Sequence, residues 1–303
     1  MRVLFMGTPS YATEILKTLL QDSEIEVVGL VTQPDKPVGR KQILTPPDTK
    51  KYLIENSIEM EVYQPTTLKS EEALQMIKSF SADFIIVAAY GQILPKSILD
   101  LAPCINLHAS ILPAYRGASP IQDAIKSQEK YSGVTSMLMD VGLDTGDILG
   151  FSFLNIEKLN ASELFEQLAI HAATLTIDTL KNFENIKPIE QSGSEASYSK
   201  KIRKEDGLLD LIDAKSCEAK FRAFIFWPGV FLESGLKLKE ISMEDTKSSH
   251  NIGKILAISD DSIVLGCQVG SLKVTRVQPP SKKEMSVVDY IRGKRLGIGD
   301  NLS

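Results

Sequence analysis

Cysteine is scarce: Cys104, Cys217 and Cys267 are scattered and odd in number among 303 residues. That usage indicates neither a disulfide framework nor a zinc site, so each is expected to be a small buried or half-buried apolar residue. Long apolar runs are also missing. No stretch reaches the roughly 18 apolar residues of a membrane span, and the start, Met1 to Gly7, is too short for a signal peptide's core. A cytoplasmic protein without a membrane partner is expected. The opening strand-helix-strand pattern carries no GxGxxG fingerprint, so NAD is not expected. No metal-ligand cluster and no internal repeat is evident.

What is present is ordinary globular composition, 43% apolar and 24% charged. The length suits two domains, each able to bury its own core. A net charge of −5 argues against a wholly basic nucleic-acid binder. The charge is uneven, however. Residues 1–205 carry 20 Lys and Arg against 26 Asp and Glu, whereas residues 206–303 carry 14 against 13. Only local patches could meet a polyanion.

Arg2 to Met6 reads as a buried strand, Thr8 as a helix N-cap with Pro9 at the first helical position, and Ala12, Ile15, Leu16 and Leu19 as one helical face. Further strands are expected at 25–31, 60–63, 83–88, 104–108, 134–139 and 148–154, with helices between several of them, which is the pattern of a mostly parallel α/β sheet. Thr32 to Lys51 holds four prolines and five basic residues, Lys36, Arg40, Lys41, Lys50 and Lys51, and reads as a surface loop. Asn160 and Glu163 resemble a capping box opening a long helix. Residues 186–199 lose periodicity and read as a linker. Lys200, Lys201, Arg203 and Lys204 then form the densest basic cluster, either a solvated face or a contact to an RNA backbone. Short strands at 236–241, 253–258, 262–267 and 272–277 suggest a small β-barrel. His171 and His250 read as packed or surface residues.

The chain is organised around Cys104 to Gly117 and its partner segment Met139 to Asp147. Alternation in the first places Asn106 and His108 on one face of a strand end. An amide beside an imidazole can hold an oxygen that becomes negative during acyl transfer. Asp144 sits in a Gly-Leu-Asp-Thr-Gly turn able to bring a carboxylate back to that strand end. Spacing alone serves a structural pair and a turn-forming aspartate equally well.

NLHASILPAYRGASPIQ followed by GVTSMLMDVGLDTGDIL resembles the signature of the folate-dependent formyltransferases, and the MDVGLDTGD form is similar to the branch of that family acting on methionyl-tRNA. The resemblance runs from about residue 2 to about 295. It implies an open, mostly parallel Rossmann-like catalytic domain over 1–186, a linker over 187–205, and an OB-like β-barrel that binds tRNA over 206–303. It implies Asn106, His108 and Asp144 as catalytic residues, and a folate pocket built from Tyr90, Gly91, Ile93 and Leu94 with Ser110, Ile111, Leu112 and Pro113. Lys36, Arg40, Lys41, Lys200, Lys201 and Arg203 are implied as tRNA contacts. The implied reaction moves the formyl group of 10-formyltetrahydrofolate to the amino group of initiator methionyl-tRNA; this chemistry requires no metal, and a monomer is expected. Ala114 stands where the family has Arg or Lys, leaving Arg116 as the nearest cation to the folate's glutamate tail.

Overall fold

The Val-Leu-Phe-Met run of Arg2–Gly7 (β1) alternates no polar residue, and the strand is buried on both faces as the centre of a parallel sheet must be. The computed structural model describes residues 1–39 and 41–302, grouped into two units. Of these residues, the first unit takes those within 1–120, 131–155 and 165–199, and the second those within 121–130, 156–164 and 200–302.

In the first unit β1 leads into α1 (Ser10–Gln21), whose Ala12, Ile15, Leu16 and Leu19 are buried as their spacing requires. The expected Thr8 cap is not formed. Pro9 occupies the N-cap without a side-chain bond, and the Thr8 hydroxyl donates instead to the Tyr90 carbonyl at 3.0 Å. β2 (Glu26–Val31) is followed by β3 (Lys36–Val38), β4 (Ile43–Thr45), α2 (Asp48–Glu55), β5 (Val62–Tyr63), α3 (Glu71–Ser79) and β6 (Phe84–Ala88). Next come α4 (Lys96–Leu99), β7 (Cys104–His108), β8 (Arg116–Gly117), α5 (Pro120–Lys126), β9 (Tyr131–Leu138), β10 (Ile148–Asn155), α6 (Ala161–Asn182) and β11 (Tyr198–Ser199). The sheet order is β10-β9-β7-β6-β1-β2-β5. β7, β6, β1, β2 and β5 run parallel, while β9 and β10 are antiparallel to their neighbours.

The chain therefore fills one side of β1 and then the other, which places the C-terminal ends of β1 and β6 at the switch point where open α/β sheets bind ligands. Asn160 caps α6 as expected, accepting from the Ser162 and Glu163 amides while Glu163 accepts from the Asn160 amide. His171 bonds the Ser152 hydroxyl at 2.6 Å.

Residues 32–51 are not a simple loop. β3 and β4 pair Lys36 with Thr45 and Val38 with Ile43, and α2 begins at Asp48. Val38, Ile43 and Leu44 are good strand formers on either side of a turn whose Gly39 and Gln42 take positive φ, 71° and 49°. Arg40 lies outside the described residues.

The second unit contains α7 (Ala214–Ala223), β12 (Val230–Phe231), β13 (Lys237–Ser249), β14 (Ile255–Ile258), β15 (Ile263–Gly266), β16 (Val269–Gln278), β17 (Met285–Ser286) and α8 (Val287–Lys294). Its strands form an antiparallel sheet in the order β12-β13-β16-β15-β14, with β17 beside β16. Register shifts interrupt the β13–β16 pairing at four places, and such bulges bend and twist a long pair. Inward residues including Leu238, Leu265, Leu272 and Val274 pack against Cys217 and Ile291 of the helices. All three cysteines are free and buried. Burial pushes the Cys104 thiol up to about 12, which removes it as a nucleophile near neutral pH.

Candidate active site

β7 ends at His108 in the middle of the sheet, and its alternation turns Asn106 and His108 the same way. The carboxylate of Asp144 meets them. Asp144 Oδ1 lies 3.5 Å from the Asn106 amide nitrogen, and Oδ2 lies 3.8 Å from His108 Nδ1. The strongest partner of that carboxylate is neither: the Gly117 amide donates to Oδ2 at 2.8 Å.

His108 is 7% exposed and its other ring nitrogen, Nε2, lies 3.0 Å from the Tyr115 carbonyl oxygen. A carbonyl accepts only, so Nε2 carries the proton and the ring is steered from that side. At 3.8 Å the Nδ1 edge is not hydrogen-bonded to Asp144 and stays available to a reacting group. The Asn106 contact is at the outer limit of a hydrogen bond, which leaves the amide most of its donor capacity.

The backbone around these groups is unusual. Ala89, Tyr115 and Asp144 take positive φ of 45°, 59° and 53°, and Gly91 and Gly117 take 89° and 116°. Non-glycine residues in that region cost about 1–3 kcal/mol each and persist only where the surroundings over-determine them. Here they do. A Cβ on Gly117 would collide with the Ser199 carbonyl, and one on Gly146 with the Leu138 carbonyl, so both glycines permit close backbone approach. The Asp140 carboxylate accepts from the Gly142 amide and the Thr145 hydroxyl, closing the turn that presents Asp144.

The implied folate residues divide into two groups. Ser110, Leu112, Tyr90 and Leu94 are buried: the Ser110 hydroxyl donates to the Ala114 carbonyl at 2.6 Å, the Leu112 amide donates to Thr135 Oγ1 at 3.0 Å, and Tyr90 and Leu94 belong to the core under β1 and β6. Ile111 and Pro113 are half-buried, Gly91 is exposed, and Ile93 is 76% exposed. The Tyr90 hydroxyl is buried without a hydrogen-bond partner among the described residues, and burial raises its pKa.

Arg116 does not serve as an outward cation. It is 4% exposed, and Nε and Nη2 both donate to Gln191 Oε1, at 3.0 and 2.7 Å. The stretch that sequence reading assigns to a linker lies along this wall of the site. Ser197 and Ser199 exchange backbone and hydroxyl bonds with Tyr115, Arg116, Ala118 and Ser119, and β11 pairs with β8. Gln191, Ser197 and Ser199 are thus site residues that sequence reading missed; nothing in the local pattern marks them.

Of the implied tRNA contacts, Lys36 and Lys41 are exposed on the β3–β4 hairpin beside the exposed Val38, Ile43 and Leu44. Lys200, Lys201 and Arg203 are exposed and make no ion pair among the described residues. Lys50 is engaged elsewhere: it donates to Asp35 and Gln64. The Gln64 amide, then the Lys50 ammonium, hold the Asp35 carboxyl below its usual range.

Residues 1–174 match the formyl transferase family and residues 201–295 its C-terminal domain. Among curated proteins, the chain is 58% identical over 301 residues to the methionyl-tRNA formyltransferase of Nitratiruptor sp. and 53% identical over 302 residues to that of Wolinella succinogenes, covering 99% of both chains in each case. Among solved structures, it is similar to HypX from Aquifex aeolicus in complex with tetrahydrofolic acid, at 17% identity and a TM-score of 0.63, covering 99% of this chain and 48% of that one. It is also similar to the sugar 3N-formyl transferase WlaRD, at 17% identity and a TM-score of 0.67, covering 91% of this chain and 97% of that one. These two share the fold. With both family regions matched and relatives above half identity along the full length, the chain belongs to the formyl transferase family.

Proposed function

We infer that the chain transfers the formyl group of 10-formyltetrahydrofolate to the amino group of initiator methionyl-tRNA. The observation that carries this reading is the approach of the Asp144 carboxylate to both Asn106 and His108 at the C-terminal end of a parallel strand. The full-length relatives, named methionyl-tRNA formyltransferases, support the choice of acceptor.

The folate supplies an activated one-carbon unit. The exposed Ile93 side chain and the open backbone at Gly91, past the C-terminal end of β6, suit contact with a flat, partly apolar pterin.

The Asn106 amide donates to the carbonyl oxygen as the amine attacks and the oxygen gains charge, and His108, in its cationic form with a proton on each ring nitrogen, donates to the same oxygen from Nδ1. Fixed donors of this kind are aligned before the reaction begins. An α-amine has a pKa near ~7.7–8.0, so about a fifth to a third of it is neutral at physiological pH and deprotonation is a small obstacle. Asp144 collects the proton that the amine sheds on forming the new C–N bond, directly or through water. The bond from the formyl carbon to the folate nitrogen then breaks, and that nitrogen takes up the proton held by Asp144, directly or through water. Lys36 and Lys41, with Lys200, Lys201 and Arg203, meet the RNA backbone.

The test is an incubation of the purified chain with 10-formyltetrahydrofolate and, separately, charged initiator tRNA, glycinamide, a sugar amine or water. Formyl-methionyl-tRNA is the expected product. Formylation of a small amine alone, or hydrolysis alone, would replace this reading.

A further inference from the structure

Gln191 lies where the periodic sequence has ended, yet its side-chain amide is hydrogen-bonded at both ends. Its Oε1 accepts from Arg116 Nε and Nη2 at 3.0 and 2.7 Å, and its Nε2 donates to the carbonyls of Asp144 and Gly146 at 3.0 and 2.6 Å. The two ends of one amide thus tie a buried guanidinium on β8 to the backbone of the turn that carries the carboxylate.

We propose that Gln191 is a positioning residue, which sets the place and orientation of the Asp144 carboxylate by clamping its turn to Arg116. This proposal rests on the role given to Asp144 above. Three observations lead to it. Asp144 holds a left-handed backbone, φ 53°, which needs restraint from outside the turn. Its side-chain contacts with Asn106 and His108, 3.5 and 3.8 Å, are too long to supply that restraint. The bonds internal to the turn, from Gly142 and Thr145, end on Asp140 and do not reach Asp144. What remains are the Gly117 amide on the carboxylate and Gln191 on the carbonyl. Gly117 follows Arg116 directly, so the residue that Gln191 grips carries the next bond in the same frame.

The chemistry of the clamp needs an amide. Arg116 donates only, and the two carbonyls accept only, so a bridge between them must accept at one end and donate at the other. Glutamine does both. A glutamate at 191 would keep the bond to Arg116, strengthened by charge, and lose both bonds to the turn.

That asymmetry gives the test. Gln191→Glu and Gln191→Ala are compared with the parent chain for formylation of methionyl-tRNA, alone and in an Asp144→Ala background, together with hydrogen exchange at the Gly117 amide. For Gln191→Glu, kcat is expected to fall on the order of 10²-fold, the loss that a misplacement of about 1 Å produces. KM for either substrate should change less than about twofold, since both ends of this side-chain amide are already bonded within the protein. In the Asp144→Ala background the same substitution should cost nothing further, because a residue acting through Asp144 has nothing left to place. The Gly117 amide should exchange faster in both Gln191 variants, while amides of β1 exchange as before.

A normal kcat with a protected Gly117 amide in Gln191→Glu overturns the proposal. So does an undiminished loss in the Asp144→Ala background, or faster exchange throughout β1 in both variants, which would assign Gln191 to folding alone. Should the parent chain formylate no methionyl-tRNA, the functional reading fails, and the Gly117 amide still reports whether Gln191 holds Asp144.

Discussion

Asn106 is the residue on which the chemistry can be weighed most directly. Its side chain is half-buried at a rigid strand end, and its amide makes only a long contact to Asp144, so replacement by alanine removes a donor without opening the core. Asn106→Ala is expected to lower kcat by about 10²- to 10³-fold, the range for losing one oxyanion donor. Single-turnover kinetics with bound folate would check this, and a near-normal rate would remove the amide from the mechanism. His108 offers a contrast. Because Nε2 is held by the Tyr115 carbonyl, its substitution disturbs the 113–117 backbone as well as the reacting edge, and a loss there has two causes.

At this scale the sequence was partly legible. A two-residue spacing at a strand end announces Asn106 and His108, and glycines flanking Asp144 announce a turn that can approach them. Arg116 was misread, since an arginine after Tyr115 looks like a surface cation until Gln191, 75 residues later, is seen to accept from it. Contacts at that separation leave no periodic trace.

Among the elements, the β3–β4 hairpin has the sharpest functional signature. It presents Val38, Ile43 and Leu44, each more than half exposed, beside Lys36 and Lys41. Exposed apolar side chains flanked by cations suit a surface that meets both stacked bases and phosphates. Lys36→Ala and Lys41→Ala are each expected to weaken tRNA binding and to reduce the slope of log K against log salt by about 1. Titrations at several salt concentrations would measure it. Lys50→Ala should leave the slope unchanged, because that ammonium is already bound to Asp35 and Gln64. Proline and glycine content disguised this element, since both depress strand propensity; Val38, Ile43 and Leu44 overrode them. The helix α8 and the short strands β12 and β17 were also unforeseen. Two-residue strands are too short for alternation to show.

For the first unit as a whole, the helix α6 is tied to the corner between α1 and β2 by Lys181, which lies 2.8 Å from Asp22 and 3.7 Å from Glu24. The hydrogen bond from Lys181 holds the Asp22 carboxyl below its usual range, and the same bond raises Lys181. A depressed carboxyl contributes stability above its unfolded pKa, near ~3.9, and loses it as pH falls through the folded value; the raised lysine contributes below ~10.4 and loses it at higher pH. Lys181→Met should therefore lower Tm by a small, pH-independent amount between those limits, and the difference from the parent should vanish in stronger acid. Thermal melts across pH would show it. The layered α/β plan of this unit and the antiparallel sheet of the second were readable from strand spacing and turn residues, because burial imposes period and turns impose glycine. What was not readable is the path of residues 189–199, whose bonds go to backbone groups far away in sequence.

That path has a consequence for how the molecule can be silenced. The 193–195 turn is exposed, whereas Gln191 on one side and Ser197 and Ser199 on the other are fastened beside Asp144 and Gly117. A protease nicking the exposed turn would cut none of these bonds, yet it would leave the supports of Asp144 and of the 115–119 backbone on two separate fragments.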